Sequence, residues 1–259
     1  MQSSNPVFGN APTLKQGQSF GAPGFPSAGQ VEEIYRTPQR LTMDDIVIKT
    51  GLLLSIVVAV GAVVWFAKAP TGVVIGGGLL GFVLALVNIF KRQVSPALVI
   101  AYAVCQGAFL GGISFFFENT PGYAGLPLQA AVGTAAIFGA VLFLYKSGKL
   151  RATPQFVKVV TGAFIGLFAL LILNVLINVF DGSGSGLGLR DGSNLAILFS
   201  IAFIAVGSLT FVLDFDQADK MVQAGVDQRE AWRVSFGLVV GLVWLYLEIL
   251  RLLSYLRDR

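Results

Sequence analysis

Seven separate stretches of this 259-residue chain are apolar for about the 20 residues that a helix needs to cross a hydrocarbon core. They run over residues 46–67, 71–90, 97–117, 128–145, 156–180, 194–213 and 234–253. In lipid every backbone amide and carbonyl must find its partner within the protein, so apolar segments of this length fold as helices. The expected fold class is therefore all-α: a polytopic membrane helix bundle with seven transmembrane helices over residues 41–259, embedded in a lipid bilayer. Charged residues make up 12% of the chain, against roughly 25% in an average soluble domain, as that reading requires.

Residues 1–40 are rich in Gly, Pro, Ser, Gln and Asn. They carry too few apolar groups to offset the entropy of ordering, and are expected to form a disordered cytoplasmic arm. The first helix is expected to begin at Thr42, whose hydroxyl can cap amides while Asp44 and Asp45 complement the helix dipole. The formal charge of +4 does not indicate nucleic acid, because the basic residues are scattered among short loops. With the N-terminus inside, eleven Lys and Arg residues fall on the cytoplasmic side and four, Lys68, Arg190, Arg257 and Arg259, on the other. The positive-inside rule then puts the N-terminus in the cytoplasm and the C-terminus outside a cell membrane.

The chain has no histidine and a single cysteine, Cys105. Histidine-based metal sites, Ser-His catalysis, imidazole relays and an intrachain disulfide are thereby excluded. No nucleophile elbow, phosphate-binding loop or paired-cysteine metal motif is present, so an enzyme is not expected. No resident cofactor is expected either.

Gly-xxx-Gly spacing recurs at Gly77 and Gly81, Gly107 and Gly111, Gly162 and Gly166, and Gly237 and Gly241. Such pairs let helices approach closely where lipid supplies no hydrophobic drive for association. The most Gly- and Ser-rich connection, residues 181–194, reads as a flexible surface loop. Asp227 with Glu230 has the spacing of a capping box opening the last helix.

Glu248 is the only charge between residues 234 and 250, and an ionisable group inside a span marks a functional site by default. The functional reading has it facing the bundle interior as a proton-sensing group. The structural reading pairs it with Arg251, three residues on and on the same helix face, with Trp244, Tyr246 and Tyr255 as an interfacial aromatic belt. Asp214, Asp216 and Asp219 end the preceding span, where negative charge opposes the helix dipole and calls for Lys220, a cation or a shared proton. Carboxylate oxygens suit Ca²⁺ or Mg²⁺, although the spacing fits no dedicated calcium loop. Gln106, Asn174 and Asn178 either hydrogen-bond between helices or line a pore, Asn174 and Asn178 sharing one helix face.

The string from LDFDQAD to WLYLEILRLL resembles the last two spans of the Bax inhibitor-1 family, in its YccA-like bacterial branch. The third span, AYAVCQGAFLGGISFFFE, is similar to the same family. The segments SSNPVF and LTMDDIVIKT resemble its actinobacterial members. The resemblance implies a seven-span fold with the last helix central, and a pH-dependent calcium leak governed by one carboxylate from each of the last two spans. Carried over, Asp216 matches the first and Glu248 the second, with Asp214 as an alternative to Asp216. It also implies a non-conducting alternative, regulation of a membrane-anchored protease partner. Three positions depart from the pattern. Gln106 replaces an acid, the last-span acid is Glu rather than Asp, and 32 residues separate Asp216 from Glu248. If the last helix starts near Asp227, Glu248 lies roughly 30 Å along it, out of reach of Asp216 unless residues 217–233 make an excursion.

Overall fold

A computed structural model describes residues 40–181 and 186–258. The expected arm, save Arg40, lies outside the described residues. Seven α-helices follow in chain order: α1 (Met43–Phe66), α2 (Thr71–Phe90), α3 (Pro96–Asn119), α4 (Leu126–Lys146), α5 (Pro154–Asp181), α6 (Asn194–Gln223) and α7 (Ala231–Arg257). A 3-10 turn, Gln228–Glu230, precedes α7. All seven are long and apolar enough to cross a membrane, and no strand occurs among the described residues, so the chain is the all-helical, seven-span bundle that the sequence predicts.

Local chemistry sets the helix starts. Thr42 caps α1 in a full capping box: its side chain accepts from the Asp45 amide while Asp45 accepts from the Thr42 amide. Proline opens α3 at Pro96, where no intrahelical amide bond is lost. Before α4 the chain turns through Gly125 at φ +84°, a left-handed conformation suited to glycine, and the Glu118 carboxylate accepts from its amide at 2.8 Å. Helix α6 outruns its apolar stretch by ten residues. The segment DFDQADKMVQ carries enough helix formers to keep winding beyond the hydrophobic boundary. Asp227 caps the 3-10 turn through the Arg229 amide, but Glu230 turns away to Arg233, so the expected box there is only half made.

Helix α7 is the hub. It packs against α1, α3, α4 and α6, and half of its spanning stretch is buried, against 6% for α5, which packs mainly on α6. The end of the bundle where α1 starts is termed proximal and the other end distal. Helices α1 and α3 cross closely because Gly61 meets Gly107 and Gly111. A Cβ on Gly107 would stand 2.7 Å from the Val57 carbonyl oxygen. Gly77 and Gly81 likewise seat α2 on Cys105 and Gln106 of α3. The pattern does not extend to α5, where Gly162 and Gly166 face open space. In α7, Gly241 sits under Phe211 while Gly237 touches nothing.

Candidate functional site

Glu248 is buried to 1% exposure near the distal end of α7. Two arginines hold it. Arg190 Nη1 donates to Oε1 at 2.9 Å and to Oε2 at 3.0 Å, and Arg251 Nη1 donates to Oε2 at 2.9 Å. The Arg251 contact is the ion pair that the i,i+3 spacing predicts. Arg190 comes from the connection between α5 and α6, and sequence reasoning missed it, because a basic residue in a Gly-rich stretch reads as solvated.

The described part of that connection is built rather than loose. The Arg190 guanidinium lies 5.5 Å from the Phe199 ring centre and 5.9 Å from that of Phe203, a distance at which ring faces attract cations. The Arg190 carbonyl accepts from Tyr255 Oη at 3.1 Å. Leu187 donates its amide to Asn174 Oδ1 at 2.8 Å, Ser193 Oγ donates to the Gly188 carbonyl at 3.1 Å, and Leu189 is buried. Over residues 186–193 the flexible surface loop is therefore corrected: its polar groups fasten it across the distal end of α7. Asp191 accepts from the Ser193 amide at 2.9 Å, and that bond holds its carboxyl below the usual carboxylate range.

One carboxylate facing two guanidiniums has a formal charge of +1. Breaking one contact of a buried ion cluster leaves an uncompensated charge, so the three groups act as a unit. Arginine suits the role, since its charge is permanent and Arg190 Nη1 is shared between both carboxylate oxygens.

The aspartates of α6 sit elsewhere. Gly207 lies against Trp244 and Gly241 against Phe211, a register that sets Asp216 level with about Phe236 of α7. Glu248 is twelve residues farther along, roughly 18 Å at 1.5 Å per residue. The two carboxylates implied as a pair do not meet, and residues 217–233 make no excursion that would join them. This corrects the pairing carried over from the family. The cause is the continuous run of α6 to Gln223 and the start of α7 only at Ala231. Asp216 instead pairs with Lys220 at 2.5 Å, and Asp219 accepts from Tyr145 Oη. Both aspartates, with Lys146 and Arg151, line a proximal cavity of about 590 Å³. Asp214 is half-buried, two residues deeper than Asp216, with no hydrogen-bond or ion-pair partner among the described residues. No group of three or more acidic or cysteine side chains that could hold a metal occurs among the described residues.

The remaining polar candidates have local employment. Asn174 is buried and spends its carbonyl on Leu187. Asn178 lies one turn on, half-buried. Gln106 is buried against Gly81 of α2, its Oε1 unpartnered. Trp244 and Tyr246 are not a belt. Trp244 packs on Phe203 with ring centres 4.6 Å apart and the planes tilted by 50°, and Tyr246 Oη shares a 2.6 Å hydrogen bond with Ser114 Oγ of α3. No sequence spacing signals that pair, because 132 residues separate its members.

Residues 5–258 match the protein family described as Bax inhibitor 1 like. No curated protein matches the chain.

Proposed function

The chain belongs to the Bax inhibitor 1 like family, and on that premise we propose that this multi-pass membrane protein is a proton-sensitive calcium or cation leak of the bacterial, YccA-like kind. Its proximal end would face the cytoplasm. The observation that carries this reading is Glu248, fully buried in a membrane helix and held by one arginine of its own helix and one of the loop.

While Glu248 is charged, Arg190 and its loop stay bound across the distal end, and their net positive charge repels cations. A proton on Glu248 removes the charge that both guanidiniums face. The loop is then held only by Asn174, Tyr255 and the ring faces, and Arg190 can withdraw from the mouth. At the other end Asp214, Asp216 and Asp219 offer oxygen ligands of the kind that attract Ca²⁺. Opening therefore follows from losing an ion cluster at one end, with cations gathered at the other.

The test is Ca²⁺ flux into proteoliposomes between about pH 6 and about pH 8, a range bracketing desolvated carboxylates. Wild-type flux is expected to rise as pH falls. Glu248→Gln and Arg190→Gln are expected to give a high flux with little pH dependence, and Asp214→Asn a lower flux with the dependence kept. No flux above empty liposomes from folded protein would overturn the leak.

The second reading is a non-conducting regulator of a membrane-anchored protease. It draws on the junction at the arm's end. There Leu41 is buried, its amide donates to the Val226 carbonyl at 2.8 Å, and Lys49 reaches the Gln228 carbonyl. Deleting residues 1–38 separates the two readings, since a leak survives it and a tethered regulator does not.

A further inference from the structure

A cleft of about 830 Å³ opens in the side of the bundle between α1 and α4, with α3 and α7 as its floor. Its volume falls within the roughly 300–1,000 Å³ of small-molecule sites. The walls are nearly all apolar: Val58, Ala62 and Trp65 on one side, Leu128, Ala131 and Phe138 on the other. The few polar groups on the floor are already satisfied. Ser114 and Tyr246 bond to each other, and Thr134 Oγ1 donates to the Ala130 carbonyl. Glu118 stands at the distal rim; below it an ion or a polar solute would find no partner, so the occupant there is a hydrocarbon.

Length and charge narrow the choice. Along α1 the cleft runs from Leu54 to Phe66, twelve residues or roughly 18 Å. Half of a hydrocarbon core of roughly 30 Å is about 15 Å, so the cleft matches one leaflet, from mid-membrane to the distal surface. Its lips, Val58, Phe66 and Leu128, are exposed on the faces the bundle turns to lipid. At the distal end Lys68 follows Phe66 by two residues and is exposed with no partner, and Arg257 reaches the Ala124 carbonyl beside Gly125. The two acids nearby are engaged, Glu118 by the Gly125 amide and Asp258 by Tyr123 Oη. Glu118 and Asp258 keep their charge and balance Arg257, so Lys68 is the one charged side chain at the mouth without a partner among the described residues.

We infer that this cleft binds one acyl chain of a phospholipid from the distal leaflet, with its phosphate toward Lys68. The chain would lie against Leu242, Val243 and Tyr246 of the central helix, so its occupancy bears on the hub of the fold rather than on its rim.

The experiment uses the full-length protein in nanodiscs with phosphatidylglycerol carrying a photoactivatable group at mid-chain, and maps the labelled peptides. Labelling is expected to concentrate on residues 54–66 and 128–138 and to be competed by unlabelled phosphatidylglycerol. It is expected to fall in Ala62→Phe/Ala131→Phe to the level seen on the lipid-facing side of α5. Both alanines are exposed, and an unchanged unfolding midpoint checks that the fold is kept; Ala62→Leu/Ala131→Leu serves if it is not. Labelling no denser than on α5, or unmoved by the filling substitutions, would overturn the proposal. So would a protein rather than a lipid captured from residue 131 in native membranes.

Discussion

The two ends of the bundle both gather acids with basic residues, yet the groupings differ in kind. At the distal end Glu248 is 1% exposed and shared by two guanidiniums, one of them brought in by a loop 58 residues away. At the proximal end Asp216 and Lys220 sit one turn apart on the same helix, with side chains 24% and 68% exposed. Water screens the second pair and lets its members separate at little cost. The first has no such recourse, because desolvation has been incurred and only the partner charges offset it. A spacing such as i,i+3 or i,i+4 therefore says nothing about weight until burial is known.

The largest expected effect breaks the distal cluster on one side. Arg190→Ala removes a guanidinium, leaves Glu248 buried and frees the loop, and should lower unfolding stability by about 3 kcal/mol in mixed micelles. Glu248→Leu/Arg190→Leu/Arg251→Leu should recover most of that loss, since replacing a whole buried ion cluster by apolar groups is often neutral. If Arg190→Ala costs no more than a proximal substitution, burial is not what separates the two ends.

Asn174→Ala sharpens the comparison by loosening the loop without touching a charge. Losing the bond to the Leu187 amide should cost about 1 kcal/mol. The amides of residues 187–193 should exchange faster, while those of residues 214–223 keep their protection. Equal changes at both ends would mean that the loop is not an independent clasp.

These contrasts mark where sequence sufficed. The seven spans were legible because lipid forbids unpaired backbone, and a run of 20 apolar residues has one fold available. The Glu248–Arg251 contact was legible because helix geometry fixes which side chains share a face. The separation of Asp216 from Glu248 followed from helix rise alone. Arg190 was not legible, nor was the Ser114–Tyr246 pair, since each depends on segments far apart in sequence arriving side by side. Gly162 and Gly166 show the converse error: spacing without a facing helix is only composition.

The proximal pair offers a smaller test. Lys220→Ala should change stability by no more than about 0.5 kcal/mol, and added salt should erase the difference. Salt should leave the Arg190→Ala effect largely intact, because a buried cluster is weakly screened. A salt-sensitive Arg190→Ala would place the distal cluster in the same class as the proximal one.

The smallest expected effect lies within the distal loop itself and depends on pH. The Ser193 amide holds the Asp191 carboxyl below the usual carboxylate range. A group whose acidity is strengthened by folding adds stability above its unfolded pKa, about 3.9 for aspartate, and loses it as pH falls through the lower folded value. Exchange of the amides around Ser193 should therefore quicken only below about pH 4, well under the range in which the leak is expected to respond. Asp191→Asn keeps an oxygen acceptor for the amide, so it should preserve the turn while flattening that acid response. A change in flux between about pH 6 and about pH 8 in this variant would assign proton sensing to the loop surface rather than to Glu248.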